Sequence, residues 1–214
     1  MSRGLGDVYK RQQQAEAGDP RAQYYLADTY VSFGDFPQAE FWAQKAADNG
    51  DGDALALLAQ LKIRNPQQAD YHQAKVLAEK SVQTGSKAGE IVLARVLVNQ
   101  QAGTPNYPHA ITLLQHAAQD PESDSAVDAQ MLLGLIYASG VHLPEDDVKA
   151  TQYFKESSAL SRTGYAEYWA GMLFLQGEKG FIEPNRQKAL HWLNVSCQEG
   201  FDTGCEEFDR ISKR

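Results

Sequence analysis

Residues 132–159 read LLGLIYASGVHLPEDDVKATQYFKESSA, and residues 170–200 read AGMLFLQGEKGFIEPNRQKALHWLNVSCQEG. In each stretch an apolar segment is followed by a loop and then by a Lys-Ala pair, Lys149-Ala150 or Lys188-Ala189, that opens a second apolar segment. Apolar residues in both segments recur at steps of three and four residues, which is typical of helices. The two stretches are therefore predicted to be copies of one helix-turn-helix unit.

The same unit recurs along the chain, and an alanine opens the second helix of each copy. A large apolar residue follows three positions later, and the first helix of each copy carries a small residue. Small residues that face large ones let helices pack closely, and each helix pair then buries its remaining apolar face on the next pair. The pattern predicts an all-α fold of about five stacked repeats. The helix-opening residues are Ala39, Ala74, Ala110, Ala150 and Ala189; the large residues are Trp42, Leu77, Leu113, Tyr153 and Trp192; the small residues are Ala27, Ala59, Ala94, Gly134 and Gly171.

Local signals give the boundaries of the repeats. Asp19-Pro20 is typical of a helix start, with a capping aspartate followed by proline in the first turn. Gly50, Gly85 and Gly200 are predicted to end second helices, where a left-handed backbone favours glycine. The predicted ranges are 13–50, 51–85, 86–120, 125–161 and 165–200 for the five repeats, and 201–214 for a C-terminal capping helix.

Residues 1–12, MSRGLGDVYKRQ, lack the alanine pattern and carry three basic residues against one acidic residue. This segment resembles a translated sequencing adapter and is interpreted as a non-native leader. The natural start of the chain is then expected to be missing, and a signal peptide or a lipid anchor could have preceded Gln13.

The fourth and fifth units resemble the Sel1-like branch of the tetratricopeptide-type repeats, both in their Lys-Ala pairs and in their long loops. The first unit, with YVSFGDFPQAEFWAQKAADNG at residues 30–50, is more similar to an ordinary tetratricopeptide repeat because its turn is shorter. The second and third units match only the alanine frame. The resemblance implies a right-handed α-solenoid that holds other proteins and does not catalyse a reaction.

Cys197 and Cys205 are the two cysteines of the chain and lie eight residues apart. A turn containing Gly200 and Gly204 can bring their side chains together, although two buried free thiols in a reducing cytosol are the alternative. The spacing is similar to the interhelix disulfide of the cysteine-rich Sel1-like proteins that some bacteria export. That resemblance implies a Cys197–Cys205 disulfide and an oxidising compartment.

The composition argues against several classes of function. A net charge of −8, from 28 acidic and 20 basic residues, disfavours nucleic acid and anionic lipid as partners. The sequence has no apolar run of about 18 residues, no nucleophile elbow, no phosphate-binding loop and no zinc-protease motif. Its five histidines are scattered, and residues 145–147 are interpreted as an acidic helix start rather than a calcium site. We therefore expect no catalysis, no cofactor and no metal.

A binding surface is predicted on the first helices, which line the concave face in arrays of this kind. Counting helical steps from the small residues gives a mostly apolar row, and Arg21 and Arg95 could add charged contacts. An exposed apolar row is typical of a groove for an extended peptide or for a partner's helix, although repeat stacking could bury half of these side chains. The predicted residues are Tyr24, Val31, Ile63, Ile91, Arg95, Val98, Met131, Leu135, Tyr165, Tyr168, Met172 and Leu175.

The sequence thus favours a noncatalytic protein-binding scaffold or adaptor in the bacterial cell envelope, either periplasmic or associated with the outer membrane. The first alternative is a cytosolic regulatory or immunity-type binding protein, which free cysteines would favour. The second alternative, implied by the cysteine-rich relatives, is a hydrolase of cell-wall or β-lactam substrates. Against it, Ser157, Ser158 and Ser196 lie at packing positions without a well-placed Lys or His to activate them.

Overall fold

The computed structural model describes residues 12–64, 68–119, 123–140, 143–160 and 163–213. The predicted leader, residues 1–12, lies outside these ranges except for Gln12. In the described residues the regular structure is helical apart from one isolated bridge between Glu178 and Ile182. The predicted all-α fold class is therefore confirmed.

The first of two compact units comprises residues 1–96. In it α1 packs on α2, α2 on α3, and α3 on α4, so that each helix contacts the next one along the chain. The helices are α1 (Pro20–Phe33), α2 (Phe36–Asp48), α3 (Gly52–Ile63), α4 (Tyr71–Gln83) and α5 (Lys87–Val98), the last of which ends in the second unit.

The second unit comprises residues 97–214. Here α6 packs on α7, α7 on α8, α8 on α9, α9 on α10, and α10 on α11. The helices are α6 (Tyr107–Ala117), α7 (Asp124–Ser139), α8 (Asp147–Leu160), α9 (Tyr165–Gln176), α10 (Arg186–Gln198) and α11 (Asp202–Ser212).

Capping residues and glycines fix the helix ends. The side chains of Asp19, Asp51 and Asn185 each accept a hydrogen bond from an amide in the first turn of their helix, which satisfies a donor that has no partner within the helix. Asp19 followed by proline and the left-handed glycines at 50, 85 and 200 confirm the predicted punctuation.

Small residues let the paired helices approach closely, but their partners lie one position beyond those predicted. A Cβ atom built on Gly171 would lie 2.7 Å from the Cγ of Leu193, and one on Gly134 would collide with the ring of Phe154. Both partners follow the helix-opening alanine by four residues, and positions i and i+4 share a helix face. Trp192 instead packs edge-on against Phe154, with ring centroids 4.9 Å apart.

Lys188 shows what one Lys-Ala pair contributes to the second unit. Its Nζ donates to the carbonyls of Ala138 at 2.7 Å and Ser139 at 3.0 Å, in the last turn of α7, and pairs with Glu145 at 3.0 Å. A cation at the carboxyl end of a helix interacts favourably with the helix dipole. The lysine thus ties the start of α10 to the end of α7.

The segment after α5 contacts the loop between α9 and α10. The amide of Gln100 donates to the carbonyl of Gly180 at 2.7 Å, and the Nδ2 of Asn99 donates to the carbonyl of Lys179 at 3.1 Å. These hydrogen bonds join positions 80 residues apart within the second unit. The fourth repeat and the first helix of the fifth repeat, α9, lie between them in the chain.

Candidate partner-binding surface

A disulfide links Cys197, near the end of α10, to Cys205 in the first turn of α11, with Cα atoms 4.5 Å apart. The turn between them reverses the chain at Gly200, whose φ of 89° lies in the left-handed region. The predicted pairing is confirmed. The bond holds the α10–α11 turn, and therefore Phe201, in a defined position.

Phe201 belongs to a group of four aromatic residues, which we call the aromatic cluster: Tyr165, Tyr168, Trp169 and Phe201. The ring centroid of Phe201 lies 5.9 Å from that of Tyr165 and 5.4 Å from that of Tyr168. Trp169 lies 6.1 Å from Tyr165 and 5.7 Å from Tyr168. Tyr165 is 36% and Trp169 43% exposed, so the cluster presents apolar ring area to solvent.

An open cleft of about 550 Å³ adjoins the cluster and shares Phe201 with it. Glu199 and Asp202 give the cleft an acidic lining. Glu199 also pairs with Lys155 of α8 at 3.2 Å. The site therefore combines exposed rings with carboxylates.

The first unit has a related arrangement at the start of α1. The guanidinium of Arg21 lies 5.1 Å from the ring centroid of Tyr24 and 5.0 Å from that of Tyr25. It also donates to Asp53 at 2.6 Å, and Ser86 donates to the same aspartate at 2.6 Å. An open cleft of about 380 Å³ is lined by Arg21 and Asp53 among others.

Charges at this arginine site stabilise one another. The hydrogen bond to Asp53 raises the pKa of Arg21 above its ordinary value, against the opposing effect of burial. Burial works to raise the pKa of Asp53, but its hydrogen bonds with Ser86 and Arg21 and the arginine's charge together lower it. Asp53 is therefore held as a carboxylate.

Two of the residues predicted for the binding row belong to the core instead. Val98 is 0% and Leu135 4% exposed. Leu135 lies on α7, which has apolar residues on all faces and is covered on nearly every side, so helical counting could not tell which face stays accessible.

The other predicted residues retain some accessibility, and their role in partner binding stays a prediction. Tyr165 and Arg95 are exposed, whereas Tyr24, Val31, Ile63, Ile91, Met131, Tyr168, Met172 and Leu175 are partly buried. Sequence reasoning missed Trp169, Phe201 and Tyr25. The adjacent aromatic pair at the start of α9 was the available signal for Trp169.

The serines considered for a hydrolase have structural contacts. Ser157 and Ser196 are buried, and their hydroxyls donate to the carbonyls of Val127 at 3.0 Å and Gly164 at 2.7 Å. The side chain of Ser158 lies outside the described residues. Asp146, from the acidic segment 145–147, accepts the amide of Lys149 at 3.0 Å, as a helix cap does.

Two absences concern residues 12–64, 68–119, 123–140, 143–160 and 163–213 only. These residues contain no group of three or more His, Cys, Asp or Glu side chains placed to hold a metal ion. None of their helices is both long and apolar enough to cross a bilayer.

Comparison with known proteins gives consistent matches. The Sel1 repeat model matches residues 20–51, 127–161 and 164–201, and so includes the first unit, whose short turn had suggested a tetratricopeptide repeat. The Sel1-repeat-containing protein YjcO of Escherichia coli K12 is 70% identical over 198 residues, which cover 92% of this chain and 86% of YjcO. A crystal structure of a Sel1 repeat protein from Klebsiella pneumoniae is 81% identical, with a TM-score of 0.94 over 96% of this chain and 99% of that one.

A more distant match covers part of the chain. The alginate biosynthesis protein AlgK of Azotobacter vinelandii is 28% identical over 134 residues, which make up 50% of this chain and 28% of AlgK.

Proposed function

Because the chain belongs to the Sel1 repeat family, whose members generally act as protein-interaction scaffolds, we propose that it is a noncatalytic adaptor of the bacterial cell envelope. It binds a peptide segment or a helix of a partner protein, and the aromatic cluster is the centre of the binding surface. The observation that carries this proposal is the exposure of Tyr165 and Trp169 within a packed group of four rings. Large aromatic side chains are enriched among the residues that contribute most to protein interfaces.

The cluster is also suited to binding because it is ordered before a partner arrives. The rings contact one another, and the Cys197–Cys205 bond holds the turn that carries Phe201. A partner then loses less side-chain freedom on binding than it would on a mobile surface. Affinity gained in this way depends on the disulfide as well as on the rings.

The disulfide supports the proposed compartment. Such bonds persist in oxidising environments, which for a bacterial protein means the periplasm or the cell surface. A cytosolic adaptor is the alternative, and the mass of the unreduced protein before and after thiol alkylation distinguishes the two. Loss of two hydrogens without alkylation supports the envelope, whereas two alkylated thiols would contradict it.

The binding surface is tested by capture of a partner from envelope extracts on the full-length chain. We expect Tyr165→Ala combined with Trp169→Ala to weaken capture by roughly thirtyfold or more, since truncation of a central aromatic residue typically costs about 2 kcal/mol. Phe41→Ala is the control, because Phe41 is an aromatic residue outside the cluster whose exposed fraction, 49%, is at least as large as those of Tyr165 and Trp169. Equal capture by the double variant and by wild type would refute the proposal.

A further inference from the structure

The first helices of the first and fifth repeats begin with matching aromatic pairs. Counted back from the buried small residue of each helix, Ala27 in α1 and Gly171 in α9, the aromatic residues lie three and two positions earlier. The two pairs are Tyr24 with Tyr25, and Tyr168 with Trp169. An aromatic pair at the same position relative to the buried small residue therefore lies near the start of both helices.

The two copies differ at the position six residues before the small residue. In α1 this residue is Arg21, whose guanidinium lies about 5 Å from both rings of its pair and donates to Asp53. A guanidinium over aromatic faces is attracted by their π electrons, and a carboxylate beside it adds a charge-assisted hydrogen bond. The first copy thus contains its own cationic occupant.

In α9 the corresponding residue is Tyr165, and the pair has no such occupant among the described residues. Arg210 is near enough to interact electrostatically with Tyr168, but its guanidinium is paired with Glu207. Trp169 remains 43% exposed. The exposed face of Trp169 is therefore accessible to a cation of a partner protein.

The surroundings of the second copy also favour a cation. Asp202 and Glu199, of which Glu199 is already paired with Lys155, line the adjoining cleft on the turn that corresponds to the Gly50–Asp53 turn beside Arg21. The whole chain carries a net charge of −8, which raises the local concentration of basic partners. Rings and carboxylates together suit arginine better than lysine, because its planar guanidinium stacks on rings while it donates in the same plane.

We propose that the aromatic cluster receives an arginine side chain of the partner segment, in the place that Arg21 fills in α1. This inference rests on the proposed function and specifies what the partner presents. The partner's arginine stacks on Trp169 and Tyr168 and directs its N–H groups towards Asp202 in the cleft.

The test uses acetyl-arginine methylamide as the probe and NMR of the tryptophan indole N–H groups in the full-length chain. Wild type is expected to show a saturable shift at Trp169, with citrulline and lysine analogues binding at least roughly fivefold more weakly than arginine. The indoles of half-buried Trp42 and buried Trp192 are internal controls. No saturable shift, or equal binding of the citrulline or lysine analogue, would overturn the inference.

One variant tests the comparison between the two copies directly. Tyr165→Arg places an arginine where α1 has Arg21, so it is expected to occupy the rings and abolish binding of the probe. Tyr165→Gln is the matched control and should bind the probe more weakly but measurably. If the Tyr165→Arg and Tyr165→Gln variants bind the probe equally, position 165 is not equivalent to the position of Arg21 in α1. Thermal unfolding of each variant establishes that it is folded.

The probe titration and the capture experiment distinguish failure of the arginine-binding proposal from failure of the proposed binding surface. The probe titration uses no partner protein, so it can fail while capture still depends on Tyr165 and Trp169. Capture that ignores these residues would refute the proposed binding surface whatever the probe does.

Discussion

Replacing Cys197 and Cys205 by serine is expected to loosen α11 selectively. The bond closes a loop between residues eight positions apart, and in the chain-entropy model such a loop constrains the unfolded chain by about 2.5 kcal/mol. Helix α11 packs mainly on α10 and α9. Removing the disulfide should therefore lower the free energy of local opening of α11 and leave the stability of the rest of the protein largely unchanged. A change of about 2.5 kcal/mol corresponds to a roughly 60-fold rise in the population of the open form.

Hydrogen exchange followed by mass spectrometry measures this effect. Amides of α11 in the double serine variant should exchange up to roughly 60-fold faster than in wild type, since exchange from a locally opened state follows its population. Amides of α1, which lies in the other unit, provide the internal control. Unchanged exchange in α11, or an equal rise in α1 and α11, would refute a local role for the bond.

Three further substitutions test the packing and the charges. Gly171→Ala should lower the free energy of unfolding by about 1–3 kcal/mol in urea titrations, because the new methyl group meets Leu193, whereas exposed Gln176→Ala should have little effect. Ser196→Ala should lower the free energy of unfolding in the same titrations by about 0.5–1.5 kcal/mol, because the carbonyl of Gly164 loses the Ser196 hydroxyl but keeps its hydrogen bond from the amide of Tyr168. The pKa of Asp53 is lower in the folded protein than in the unfolded chain. Its ionised side chain therefore stabilises the fold above the unfolded pKa of about 3.9, and this stabilisation is lost as the pH falls further. The free energy of unfolding of wild type should therefore exceed that of the Asp53→Asn variant at neutral pH, and the gap should shrink as the pH falls below about 4. A gap that stays constant with pH would contradict this.

The fold could be predicted because its main signals are local. An alanine at a fixed position in each helix pair indicates a place where two helices pack too closely for a larger side chain. Glycines indicate where helices end. Ala39, Ala74 and Ala150 are completely buried, as this reasoning requires. The spacing of the cysteines and Gly200 indicated the turn, and the resemblance to the cysteine-rich Sel1-like proteins implied the disulfide; Gly204, which was also assigned to the turn, lies within α11.

The binding surface could be predicted less well because exposure depends on neighbouring helices. Val98 and Leu135 occupy the expected helical positions, yet surrounding elements cover them. Phe201 joins the aromatic cluster only because the α10–α11 turn brings it beside α9, which helical counting within one element cannot reveal. Arg21 and Tyr165 occupy equivalent positions in the sequence, but the sequence does not show that Arg21 contacts the rings of its aromatic pair and Asp53.

The hydrogen bonds from Asn99 and Gln100 to the α9–α10 loop bear on the order of folding. Most contacts of a repeat array are between neighbours and form quickly, whereas joining positions 80 residues apart requires a long closure that costs more entropy. We expect this closure to complete the second unit after its helices have paired. During synthesis it must wait until Lys179 and Gly180 have left the ribosome, so a nascent chain carries the segment around Asn99 for some 80 residues before its partner exists.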